Sequence, residues 1–182
     1  MYCICGKVSG EESEEGWQTM PKGQMKNKMQ EIPVFRITIE REKLAKDKKG
    51  ICRIFELLEA HRIPCECIAI NIDWLAIIIR EAEYGKLSGF LILLRQELSR
   101  VNTFIEKDMM LLCMVGEQIK SRDIGMITSS LIMQGVEIKM QRYLQCRDRF
   151  MVCVAAAAAV QAKQIVAEIM DGRTEKSGGL LQ

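Results

Sequence analysis

The chain has 182 residues, 48% apolar and 27% charged, globular usage that leaves apolar material for one medium domain or two small ones. A formal net charge of +2, scattered in both signs along the length, offers no sustained basic field, so neither nucleic acid nor an anionic membrane is an expected partner. Eight cysteines without a basic-then-apolar leader, and no apolar run approaching the ~20 residues of a membrane span, lead to the expectation of reduced thiols, a soluble chain and a cytoplasmic location.

Residues 1–32 read as a connector, partly flexible: Gly10 to Gly23 is acidic and then polar, is punctuated by Gly16 and Pro21, and lacks an apolar period. From Pro33 the pattern changes. Phe35, Ile37 and Ile39 alternate with Arg36, Thr38 and Glu40, which predicts a half-buried strand, followed by a charged loop ending at Gly50. Ile51, Ile54, Phe55, Leu57 and Leu58 recur at helical spacing until Arg62, and Pro64 forbids continuation. Cys65 to Ile72 and Leu75 to Ile79 read as strands about a turn at Asn71 to Trp74. Leu87, Phe90, Leu91, Leu94 and Leu98 share a helical face, and Val101 to Ile105 completes the unit as a short strand.

The same order recurs: strand Met110 to Val115, helix Met126 to Gln134, strand Val136 to Tyr143, a turn at Cys146 to Asp148, strand Arg149 to Val154 and helix Ala156 to Met170. One offset sets Ile54 beside Ile127, Leu58 beside Leu131, Ile63 beside Val136 and Cys67 beside Met140. Two copies of strand-helix-strand-strand-helix-strand predict an α+β fold of two ferredoxin-like βαββαβ units, antiparallel sheets with helices on one face. The units are expected over 33–106 and 107–172, ahead of a frayed tail at 173–182.

The chemistry-bearing residues form no catalytic set. Cys65 and Cys67, like Cys3 and Cys5, are C-x-C pairs whose sulfurs share a face on a strand, but further ligands at a metal-site spacing are missing, so thiols buried in strands are expected and no metal or cofactor. His61, the lone histidine, stands near a helix end, where capping or surface use suffices. Trp74 sits in a tight turn and reads as a packing residue. The segment Ile68 to Ile72 is apolar on both alternations, so something must cover its second face, either the other unit or a second chain.

Several stretches carry a family likeness. Leu112-Cys113-Met114-Val115-Gly116-Glu117, Ile132-Met133-Gln134-Gly135-Val136-Glu137-Ile138-Lys139-Met140, the loop Asp47-Lys48-Lys49-Gly50, the pair Ile54-Phe55 and Asn71 together resemble the carboxy-terminal regulatory region of aspartate kinases, which carries tandem ACT domains. The resemblance spans roughly Met25 to Met170, and more faintly Gly6-Lys7-Val8 and the acidic run behind it. No nucleotide-cradling glycine loop with its lysine precedes the first unit, so the kinase domain is expected to be absent.

The likeness implies a non-catalytic module that senses a small amino acid of the lysine or threonine class and dimerises in an intertwined manner or engages a kinase domain. Its effector residues would be Asp47, Lys49, Gly50, Ile51, Ile70 and Asn71: the amides of Gly50 and Ile51 for the carboxylate, Asp47 and Asn71 for the ammonium. The sequence also departs from the family. Ile70 stands where a Gln is usual, Lys49 replaces a turn Pro, Arg122 stands at a usual Gly, Gln145-Cys146-Arg147-Asp148 replaces a Gly-Ser-Ser-Glu turn, and Ala155 to Ala159 replaces an acidic helix start. Three readings stay open: an amino-acid sensor, a degenerate pair that only dimerises or docks, and the tail of a longer aspartate kinase.

Overall fold

The computed structural model describes residues 28–115, 119–144 and 149–177. Cys3, Cys5, the Gly6-Lys7-Val8 stretch, Gly116-Glu117 and the turn at Gln145 to Asp148 lie outside the described residues.

Strand β1 (Lys28–Glu40) leads to helix α1 (Lys48–Ala60), β2 (Cys67–Ile70), β3 (Trp74–Arg80), α2 (Leu87–Glu97) and β4 (Asn102–Val115). Then follow α3 (Ser121–Met133), β5 (Ile138–Leu144), β6 (Arg149–Ala155) and α4 (Ala159–Ser177). The fold is α+β with antiparallel pairing throughout, in the repeated order that the sequence suggests.

The two expected sheets are halves of one. All six strands form a single sheet in the order β2-β3-β1-β4-β6-β5. The strands expected at Val101 to Ile105 and Met110 to Val115 are one continuous strand, since neither Gly nor Pro separates them. Likewise β1 starts at Lys28, ahead of Pro33, and its first residues pair with Met110 to Val115. The second unit thus takes its fourth strand from the front of β1 instead of from residues after α4.

A bulge marks the division. Val34 pairs with Met109 and Arg36 with Glu106, so Lys107 and Asp108 together face Phe35, and Asp108 takes a positive φ of 55°. An extra residue of this kind bends and twists a ladder.

The helices cover one face. Ile54, Leu57 and Leu58 of α1 and Leu87, Phe90 and Leu94 of α2 pack on Phe35, Ile37, Ile39, Leu75, Ile77 and Ile79. In the second half, Ile127 and Leu131 of α3 and Ala162, Ile165 and Val166 of α4 pack on Leu112, Met114, Phe150, Val152 and Val154. Each such buried aliphatic side chain stabilises by roughly 1.5–3 kcal/mol.

The opposite face folds inward on itself. Val34, Cys67, Ile78, Met109, Leu111, Cys113, Met151 and Cys153 form a third core, with Met140 and Leu144 against it, so all six strands contribute. The apolar segment Ile68 to Ile72 is covered only in part: Ile68 packs on the first core and Ala69 faces the seam, next to the buried Cys67. Ile70 and Ile72 are not covered, at 50% and 56% exposure.

Both helix ends that precede the repeated strands share one geometry. Arg62 (φ 51°) and Gly135 (φ 76°) are left-handed; the next amides, Ile63 and Val136, donate back to Leu58 and Leu131. The offset read from side chains therefore extends to the backbone.

Element ends differ from expectation where capping decides them. The Asp47 side chain caps α1, which begins at Lys48 instead of Ile51. The Asp123 carboxylate accepts from the Lys120 amide at 2.8 Å, so α3 begins at Ser121 instead of Met126. The tail expected to fray is helical as far as Ser177, as no proline interrupts α4. Among the described residues no helix is long and apolar enough to cross a membrane.

Candidate functional site

The expected effector residues gather at one end of the first half. Between β1 and α1 the chain makes a 3-10 turn, Leu44–Lys46, that is stitched to the β2–β3 turn. Arg41 N donates to Asp73 O at 2.9 Å, Lys43 N to Asp73 Oδ1 at 2.7 Å and Ala45 N to Ile72 O at 2.9 Å. The Asp47 loop and the Asn71 turn are neighbours for that reason.

Within this end, Asp47 is already committed. Oδ1 accepts from the Gly50 amide at 2.9 Å, Oδ2 takes the Arg41 guanidinium at 2.5 Å, and the Asp47 carbonyl accepts from Ile51 N at 3.0 Å. The Gly50 amide first, and then Arg41, hold the Asp47 carboxyl below its ordinary 3.8. The two amides expected to hold an effector carboxylate are therefore both bonded to Asp47.

Gly50 is required here by space. A Cβ on it would lie 2.6 Å from Asp47 Oδ2 and 3.3 Å from Arg41 Nη1. Lys49 is exposed, and Ile51 packs on the first core. Asn71 is exposed, its Oδ1 accepting from Ile72 N at 2.7 Å and its own amide donating to Trp74 O at 2.8 Å. Ile70, in the position where the family likeness calls for Gln, ends the edge strand β2 half exposed.

Two clefts lie nearby. One, of about 390 Å³, opens at the end of β1, β3 and β4 among Glu40, Arg41, Glu42, Asp73, Trp74, Arg100 and Asn102. The other, about 200 Å³, lies in the seam between the halves: Arg36, Thr38, Glu40, Ala69, Trp74 and Ala76 on one side, Lys139 and Met140 on the other. The second was not legible in the sequence, because β5 comes beside β1 and β2 only in the folded sheet.

Across that seam Arg36 Nη1 donates to Lys139 O at 3.1 Å, while Arg36 Nη2 and Lys139 Nζ meet opposite oxygens of Glu106 at 2.6 and 3.0 Å. Lys139 also pairs with Glu137 at 2.8 Å. Those carboxylates, Glu137 ahead of Glu106, raise the Lys139 ammonium above its ordinary 10.5.

The other residues weighed in the sequence have plain roles. His61 ends α1, its Nδ1 2.8 Å from Leu57 O, and packs beside Phe90. Cys65 packs on the first core and Cys67 in the seam, so the C-x-C sulfurs do not share a face: Cys65 precedes the strand that would have aligned them. Trp74 lines both clefts.

No protein-family model matches this sequence, and no curated protein matches it. Solved structures do. The chain superposes on aspartate kinase from Clostridium acetobutylicum with a TM-score of 0.70 at 16% identity, over 78% of this chain and 34% of that one. It superposes on the regulatory subunit of aspartate kinase from Thermus flavus with a TM-score of 0.65 at 14% identity, over 78% of this chain and 95% of that one. This is the fold of aspartate kinase regulatory regions. It also superposes on part of E. coli aspartokinase III, solved in complex with lysine and aspartate, with a TM-score of 0.59 at 14% identity, over 79% of this chain and 32% of that one. The chain thus spans about a third of the full aspartate kinases and nearly all of the separate regulatory subunit.

Proposed function

We propose that this chain is a non-catalytic, cytoplasmic regulatory module of the aspartate kinase type, built of ACT units over 33–106 and 107–172. It takes up a small amino-acid effector of the lysine or threonine class where the Asp47 loop meets the Asn71 turn, and it self-associates or engages a kinase domain. One observation carries the reading beyond the fold: the bonds from Arg41, Lys43 and Ala45 to the β2–β3 turn hold Asp47 and Asn71 on adjoining loops. The lysine found with E. coli aspartokinase III supports the ligand class. The outer edge of β2, which no strand pairs, and the half-exposed Ile70 at its end with Ile72 beyond it support self-association, since unpaired strand edges seek partners.

An effector carboxylate at this end competes with Asp47 for the helix amides, so binding opens the cap and frees Arg41. Titration calorimetry with L-lysine and L-threonine tests this. Heat at millimolar ligand that disappears in Asn71→Ala supports the site; no heat at about 10 mM, where even a ~1 mM site is mostly filled, removes it.

The committed cap favours a second reading, in which the pair only assembles or docks. Dimerisation in sedimentation runs that no amino acid alters selects it. The third reading, a segment of a longer aspartate kinase, draws on the chain's spanning only 34% of the Clostridium acetobutylicum protein; coding sequence upstream of Met1 decides it.

A further inference from the structure

We propose that the seam between the two halves is a ligand site of its own, for a small zwitterion whose carboxylate and ammonium stand several bonds apart. The donor is Arg36. With Nη1 and Nη2 occupied by Lys139 O and Glu106, its Nε is buried and has no acceptor in the protein, and a buried donor left unpaired is costly. An anionic oxygen in the cleft removes that cost.

The acceptor is Glu40, half-buried at the other end of the cleft and in no ion pair among the described residues. Thr38 lies between them on the same face of β1. Four residues of strand separate Arg36 from Glu40, roughly 13 Å between their Cα atoms. Even with both side chains leaning inward, glycine is too short to touch both, whereas a chain of about five carbons spans the gap.

The walls suit the stem of such a ligand. Ala69 and Ala76 leave space, and Trp74 and Met140 offer apolar surface. Arg36 offers donors at one end and Glu40 acceptors at the other, so the site asks for an acceptor and a donor on one molecule. Because Lys139 and Met140 belong to one half and the remaining lining residues to the other, an occupant fastens the halves together. That is a structural route from ligand to conformation, independent of the Asp47 loop.

The test uses the full chain with Trp17→Phe, which leaves Trp74 as the single tryptophan reporter. 6-Aminohexanoate and L-lysine are titrated against glycine, hexanoate and hexylamine, following Trp74 emission and melting temperature. The two long zwitterions are expected to change both signals, and the other three to bind at least ~10-fold more weakly. Ala69→Leu, which fills the seam cleft alone, abolishes the response; Glu40→Gln weakens it at least ~10-fold; Asn71→Ala leaves it intact. Should Ala69→Leu not fold, Met140→Phe fills the cleft from the opposite wall. No response to any probe at about 10 mM overturns the proposal, as does a response that survives Ala69→Leu and Glu40→Gln. A response lost in Asn71→Ala but kept in Ala69→Leu also overturns it, while leaving the loop site standing.

Discussion

Arg142 Nη1 on β5 donates to the Ile68 carbonyl oxygen on β2 at 2.6 Å, joining the two outermost strands of one sheet. The sheet closes on itself because β1 and β4 run through both halves and bend at the Asp108 bulge. The seam core that results belongs to neither half alone.

Unfolding is therefore expected to be a single transition. Calorimetry should give one peak, with Met151→Ala, which empties a seam position, lowering stability by about 2–5 kcal/mol and shifting that whole peak. Two resolved peaks, or a loss confined to one of them, contradict a shared core.

The repeated helix ends make a second expectation. Arg62 occupies a left-handed position without the benefit of being glycine, while its counterpart Gly135 has it. Arg62→Gly should stabilise by about 1 kcal/mol and Gly135→Ala destabilise by a similar amount, read from urea midpoints at unchanged slope. Within helices the sign depends on space. Gly125→Ala, with nothing within 4 Å of its Cβ, should stabilise by about 0.5–1 kcal/mol. Gly50→Ala, whose Cβ would strike Asp47 Oδ2, should lower the melting temperature instead.

Acid sensitivity follows from Asp47. Its folded value lies below 3.8, so it contributes stability above that pH and loses it as pH falls through the depressed value. A melting profile should decline below about pH 4. Asp47→Asn lowers the melting temperature near neutrality and flattens that decline; an unchanged acid limb contradicts the cap as its source.

At the alkaline end the thiols act. Burial pushes Cys153 up to about 12 and Cys65 to about 11, against an ordinary 9.0, so their contribution is complete below pH 9 and fades as pH rises toward those values. In a variant with Cys3, Cys5 and Cys146 changed to Ser, Ellman's reagent at pH 8 should label the exposed Cys52 quickly. Cys67, Cys113 and Cys153 should react only on unfolding. Fast labelling of Cys153 in the native protein contradicts the closed seam.

The alternation Phe35, Ile37, Ile39 and the i, i+3, i+4 spacing of Ile54, Leu57 and Leu58 identified strand and helix, because burial on one face imposes a period that a single chain displays. The repeat was equally legible, and with it the α+β class, since Ile54 and Ile127, or Leu58 and Leu131, meet the same packing demand. Asp47 and Asn71 stand out in the sequence through the family likeness, but that Asp47 spends itself on Gly50 and Arg41 is a matter of three-dimensional distance.

What only the tertiary structure decided is how the repeats meet. Nothing local distinguishes two strands from one across Glu106 to Asp108, or says that β1 lends its first residues to the second half, because strand pairing is a contract between distant segments. Nor does any pattern along the chain bring Lys139 to Arg36. Periodicity reports which face of an element is buried; which partner buries it depends on bends and closures whose energy comes from contacts remote in sequence.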